Sequence, residues 1–172
     1  MTSTTREHCR IRPIGIDDAQ RMIDFFESFS EQTRIFFTPH DITHAGLEEL
    51  VREIPERSDA VRFMLSVDEN GQEIMVGYVF FWDWDRLIPW FGIGLRDAYH
   101  SQGFGSWMME VAIDFARRNG KGGILLTTHK PNTKAQGLYR KYGFELLGEH
   151  VSGEYMLILR FEDPAQRKGQ EK

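Results

Sequence analysis

The chain has 172 residues, close to one domain at about 150 residues each, and a domain of that size buries roughly two thirds of its unfolded surface without metal or disulfide staples. Its 21 basic and 26 acidic residues leave a formal net charge of −5, which excludes the strong positive field of a general nucleic-acid binder; any polyanion must be held locally. A hydrophobic fraction of 41% with 27% charged residues is globular composition and excludes intrinsic disorder. The lone cysteine, Cys9, excludes an internal disulfide and a cysteine-rich zinc site and favours a reducing compartment. Met1 to Arg12 lacks the apolar core of a secretory signal, and nowhere do about 18 apolar residues run together. The reading is a soluble, cytoplasmic protein with no membrane partner.

In chain order, a short strand is expected around Arg10 to Pro13. Asp17 then caps a helix, with Gln20 completing a capping box and Met22, Phe25, Phe26 and Phe29 forming its core stripe. Glu31 to His40, with Phe36, Phe37 and Pro39, breaks that helix or starts a short second one, and a further helix runs from Thr43 to about Ile54. The period then changes to two. Val61, Phe63, Leu65 and Val67 alternate along a strand, Asp68-Glu69-Asn70-Gly71 turns the chain, and Ile74 to Trp82 returns as its partner. After the Asp83 to Arg86 connection, Trp90 to Leu95 reads as a strand whose Gly92 and Gly94 suggest a bulge or close backbone approach.

Phe104, Trp107, Met108, Val111, Ala112 and Phe115 mark an amphipathic helix stopped at Asn119-Gly120. Gly123 to Thr128 is a short buried strand, and Thr133 to Tyr142 is a helix ended by Gly143. Phe144 to His150 and Tyr155 to Phe161 form a final hairpin across Ser152-Gly153. Residues 1–161 thus make one domain with no internal repeat, and 162–172 read as a frayed tail.

The most informative segment is Tyr99-His100-Ser101-Gln102-Gly103-Phe104-Gly105-Ser106, a glycine-bearing loop between a strand and a long helix. Amides unpaired at a helix start, helped by the helix dipole, form a pocket for a phosphate or diphosphate, and glycine lets the backbone come close. Met108 stands where a dinucleotide fingerprint wants its third glycine, and no G-x-x-x-x-G-K-[ST] string exists, so Rossmann and P-loop readings are weak. A plain tight turn is the alternative.

About thirty residues on comes Asn132-Thr133-Lys134-Ala135-Gln136-Gly137-Leu138-Tyr139-Arg140-Lys141-Tyr142-Gly143-Phe144. Together the two segments resemble the GNAT superfamily of acetyl-CoA-dependent N-acetyltransferases. Its signatures are an [Arg/Gln]-x-x-Gly-x-[Gly/Ala] loop opening a helix, then Asn-x-x-Ala-x-x-Leu-Tyr-x-x-x-Gly-Phe. The second is matched at every named position, the first at Gly103 and Gly105 but not at His100. That departure removes a usual side-chain contact and leaves the amides untouched. The resemblance, strongest over Trp90 to Phe144, implies an α/β (α+β) domain with a mixed, largely antiparallel central sheet flanked by helices.

It further implies acetyl-CoA as cosubstrate. Backbone groups of Ile93, Gly94 and Leu95 would meet the pantetheine arm as an added strand would, Ser101 to Ser106 would take the diphosphate, and Asn132 would contact the arm with its amide. Asn132 beside Pro131 is equally a good N-cap. Tyr139 is the candidate catalytic residue. A phenol with pKa near 10 keeps its proton at neutral pH and can protonate a departing thiolate, as family members use this position; the alternative is a half-buried helix tyrosine.

The attacking amine must lose a proton, and Asp83, Asp85, Glu154, His129 and His150 are candidates to receive it, with no base assigned. His40 and His44, four apart, lack a third ligand of recognisable spacing, so no metal is expected and a surface or helix-start role is favoured. Trp82, Trp84 and Trp90 wall an acceptor pocket or pack the sheet. The acceptor is expected to be chosen by Ser28 to His40 and the Trp82 to Trp90 connection. The expected activity is acetyl transfer to a primary amine of a small molecule or amino-acid-like metabolite. A protein N-terminal or lysine acetyltransferase, favoured by an open acidic cleft, and a non-catalytic acyl-CoA sensor are the alternatives. Many relatives pair as dimers, which makes a homodimer the associated expectation.

Overall fold

Where the sequence alternates with period two or repeats with period 3.6, the chain forms strands and helices in the expected order. The computed structural model describes residues 8–161; the expected tail lies outside them. In order these are β1 (Cys9–Pro13), α1 (Ala19–Glu27), α2 (Glu31–Phe36), α3 (His44–Glu53), β2 (Ala60–Glu69), β3 (Gln72–Trp82), β4 (Trp90–Leu95), α4 (Phe104–Arg118), β5 (Gly123–Thr128), α5 (Thr133–Lys141), β6 (Glu145–Glu149) and β7 (Tyr155–Arg160). The seven strands make one sheet in the order β1-β2-β3-β4-β5-β7-β6. Every neighbouring pair is antiparallel except β4 and β5.

The central sheet is buried on both faces, so in β2 the residues between Val61, Phe63, Leu65 and Val67, namely Arg62, Met64 and Ser66, are themselves buried. Leu65 and Val67 join Phe81, Phe91, Ile124 and the α4 stripe Met108, Met109, Ala112 and Ala116 in one core. Met64, Met75, Tyr78 and Phe80 point the other way, against Met22, Phe25 and Phe26 of α1 and Leu47 and Val51 of α3. Asn70 (φ 57°) and Gly71 (φ 82°) take the left-handed conformations that a two-residue β2–β3 turn needs.

Two local expectations are corrected. Asp17 and Gln20 do not cap α1. Asp18 accepts the Gly15 N–H (2.8 Å), and Gln20 bonds forward to Asp24 (2.7 Å). The reason is electrostatic: Asp18 is 2% exposed, and a buried carboxylate needs compensation, which Arg12 (2.7 Å) and Arg21 (2.9 Å) provide while both also reach Glu73. The second correction is in β4, which carries no bulge. A Cβ on Gly92 would lie 2.0 Å from the Phe80 ring and one on Gly94 2.4 Å from the Phe37 ring, so the glycines admit aromatic rings rather than another backbone.

Candidate active site

Parallel β4 and β5 meet at a single register pair, Trp90 with Leu125. That end is held by Leu125 N–H to Pro89 O (3.0 Å) and Gly122 N–H to Leu87 O (2.8 Å). Beyond it β5 continues to pair with β7, whereas the outer edge of β4 from Phe91 onward has no strand partner among the described residues. The sheet therefore opens into a wedge. A cavity of about 360 Å³ lies there, lined by Ile93 of β4, Thr127 and Thr128 of β5, and Asn132 and Tyr139 at either end of α5.

The loop entering α4 turns through two left-handed residues, Ser101 (φ 60°) and Gly103 (φ 84°), and the first main-chain bond of the helix runs from Trp107 N–H to Gly103 O (3.1 Å). Amides 104–106 consequently have no acceptor among the described residues. A Cβ on Gly105 would make only an ordinary 3.6 Å contact with Leu138, so protein packing does not demand glycine there. The Phe104 side chain is buried (2% exposed), Gln102 Nε2 donates to Ala98 O (2.6 Å), and Ser106 Oγ accepts from Lys141 Nζ (3.0 Å). His100 Nε2 donates to Leu95 O (3.0 Å), turning away from the loop and occupying that carbonyl; Gly94 lies under Phe37 and, like Leu95, does not line the cavity. Of the three β4 residues, Ile93 does.

Tyr139 is 6% exposed and packs against Phe144 at 5.5 Å between ring centroids. Its hydroxyl has no hydrogen-bond partner among the described residues, and burial raises its pKa well above the ordinary tyrosine value, so the proton stays on. Asn132 is an N-cap, its Oδ1 accepting the Ala135 N–H (3.3 Å), and the same residue lines the cavity.

Of the five proton-acceptor candidates, the fold brings His129 and Glu154 to the cavity, with Nε2 and Oε1 3.5 Å apart. Asp83, Asp85 and His150 do not line it; Asp83 pairs with Arg86 (3.4 Å) and His150 with Ser152 (2.9 Å). Trp82 and Trp90 wall the cavity, but Trp84 does not. Asp83 (φ 52°) ends β3 and turns Trp84 onto the opposite core, stacked at 5.2 Å on Phe115 with the Lys121 ammonium 4.4 Å from its ring centroid. Ile35 to Pro39 supply another wall, whereas the Asp83 to Pro89 connection contributes none.

His40 and His44 take different partners. His44 Nε2 bonds Glu27 (2.6 Å), and His40 Nε2 bonds the Tyr78 hydroxyl (2.8 Å), so the expected surface or helix-start role fits His44 and not His40. Burial, with nearby Arg62, pushes the His40 pKa down to about 3. Among the described residues no cluster of His, Cys, Asp or Glu has the makings of a metal site. Lys141, which motif reading passed over, brings a cation to the first turn of α4; it stands at an unspecified position of the signature, three residues before Phe144, and carries no signal beyond helical phase.

Residues 22–144 match the acetyltransferase (GNAT) family. Mycothiol acetyltransferase of Jonesia denitrificans is 27% identical over 147 residues, which are 80% of this chain and 43% of that protein; the chain thus spans less than half the length of this curated relative. Among solved structures, ribosomal-protein-S5-alanine acetyltransferase from Vibrio fischeri aligns with a TM-score of 0.79 at 18% identity, over 95% of this chain and 98% of its own. Spermidine N-acetyltransferase from Vibrio cholerae, in complex with CoA and spermine, aligns with a TM-score of 0.73 at 17% identity, over 90% and 96%. At these identities the structural likeness is one of fold.

Proposed function

The chain belongs to the acetyltransferase (GNAT) family, and on that premise we propose that it transfers an acetyl group from acetyl-CoA to a primary amine of a small molecule, by direct attack in a ternary complex. The observation that carries this reading is the buried Tyr139 hydroxyl, unshared among the described residues, on the wall of the cavity that Ile93 and Asn132 also line. The cradle fits the cosubstrate: amides 104–106 lack acceptors among the described residues, and Gly105 leaves open the approach a side chain would narrow.

Acetyl-CoA supplies the thioester that activates the acetyl group. The loop Ser101 to Ser106 holds the diphosphate through main-chain N–H groups, with Lys141 adding a side-chain cation beside Ser106. Ile93 offers backbone groups from the free edge of β4, and Asn132 Nδ2 donates to the pantetheine arm. Glu154, its Oε1 3.5 Å from His129 Nε2, receives the proton that the ammonium must lose, because a protonated amine has no lone pair for attack. As the new N–C bond forms and the C–S bond breaks, Tyr139 donates its phenolic proton to the sulfur.

Thiol release tests this. Saturating acetyl-CoA with a panel of primary amines should liberate free CoA in an amine-dependent manner. Acetyl-CoA binding by calorimetry without thiol release from any amine favours a sensor and removes the transferase reading.

A further inference from the structure

The charge inventory of the acceptor wall limits what the site takes. Resting on the transfer reading above, we infer that the acceptor is a monoamine with an apolar, ring-bearing body, carrying neither a carboxylate nor a second cation. Among the described residues Glu154 is the sole carboxylate lining the cavity, its side chain 23% exposed, and no lysine or arginine of them lines it. Of the cations nearby, Lys130 pairs with Glu149 (2.6 Å), and Arg62, 6% exposed, is buried within the sheet and does not reach the cavity wall.

One carboxylate matches one ammonium. A second ammonium entering the cavity leaves water without an anion to meet it, and an α-carboxylate leaves water without a cation, so each added charge carries an uncompensated desolvation cost. The remaining wall is aromatic. Phe36, Trp82 and Trp90 are only half-buried and present ring surface to the cavity, with Phe80 4.6 Å from Trp82 between centroids and Phe36 5.9 Å from the His129 ring. Such faces gain by covering an apolar body and hold an alkylammonium by cation–π attraction. Spermine, bound in the Vibrio cholerae structure, is the opposite kind of ligand.

The test compares three probes of related reach under saturating acetyl-CoA, read as CoA release: 2-phenylethylamine, phenylalanine and spermidine. The expected kcat/KM for 2-phenylethylamine exceeds both others by about tenfold or more, the size of one unmet polar or charged group. Thr38→Glu, which adds a second carboxylate to the wall at a position outside the transfer machinery, should narrow the spermidine deficit and leave that of phenylalanine. Equal or better turnover of phenylalanine or spermidine overturns this inference and leaves the transfer reading standing. No thiol release from any probe, with acetyl-CoA bound by calorimetry, overturns the transfer reading and this inference with it.

Discussion

Tyr139 and Tyr78 are both buried phenols whose pKa burial raises, yet their surroundings give them opposite work. The Tyr78 oxygen is hydrogen-bonded to His40 (2.8 Å), which fixes it as a strut inside the α1–α3 core. Tyr139 keeps its hydroxyl for the cavity. Tyr139→Phe should therefore lower kcat by roughly 10- to 10⁴-fold, the range of a general acid, with CoA affinity and thermal stability close to wild type. Single-turnover kinetics alongside calorimetry checks the split, and unchanged chemistry removes the acid role. Glu154→Gln should lower kcat/KM for the amine with CoA affinity intact, and a kcat/KM that does not move removes Glu154 as anchor and proton acceptor. The role proposed for Tyr139 could be named from sequence because a motif marks the position. Choosing Glu154 and His129 over Asp83, Asp85 and His150 was not, because residues 25 apart meet at the cavity only through the β5–β7 pairing.

Among the elements, the start of α4 makes the sharpest prediction. A side chain at Gly105 has room and no positive φ to resist it, so Gly105→Ala should fold at least as stably as wild type. It should nevertheless bind CoA more weakly, because the methyl group occupies the approach to the amides; wild-type affinity by calorimetry would refute the cradle. Gly103→Val adds backbone strain of about 1–3 kcal/mol at φ 84° and should lose both stability and affinity.

The tie between β1, α1 and β3 predicts an acid response. Hydrogen bonds from Arg12 hold the Glu73 carboxyl down to about 2 and lower that of Asp18 as well. Because the folded state depresses these values, their contribution to stability is complete above the ordinary carboxylate range near 4.5 and is lost as pH falls towards about 2. Urea midpoints of wild type and Arg12→Ala should differ most at neutral pH and converge across that window; a constant difference contradicts it. Solvent screening keeps the contribution of the half-exposed Arg12–Glu73 contact modest. Periodicity announced all three elements but not this network, since Arg12 and Glu73 lie 61 residues apart.

For the molecule as a whole, seven strands and the helices around them were readable from period and turn chemistry, and the two signature segments named the family. What escaped was geometry made by an interruption. A strand continued in register would place Trp82 and Trp84 on one face, but the left-handed Asp83 splits them between the two cores. Likewise the wedge exists because β4 and β5 stop pairing after Trp90, and lost pairing leaves no mark in hydrophobic alternation. The Gly92 and Gly94 signal was real and its cause was aromatic packing.

The central claim is that this wedge seats a thioester beside Tyr139 while the α4 amides hold its diphosphate. The structure of the protein crystallised with acetyl-CoA tests it most directly. The account predicts diphosphate oxygens within hydrogen-bond distance of amides 103–106 and the sulfur within reach of the Tyr139 hydroxyl. A ligand bound outside the β4–β5 opening, or a Tyr139 hydroxyl turned from the sulfur, would contradict it.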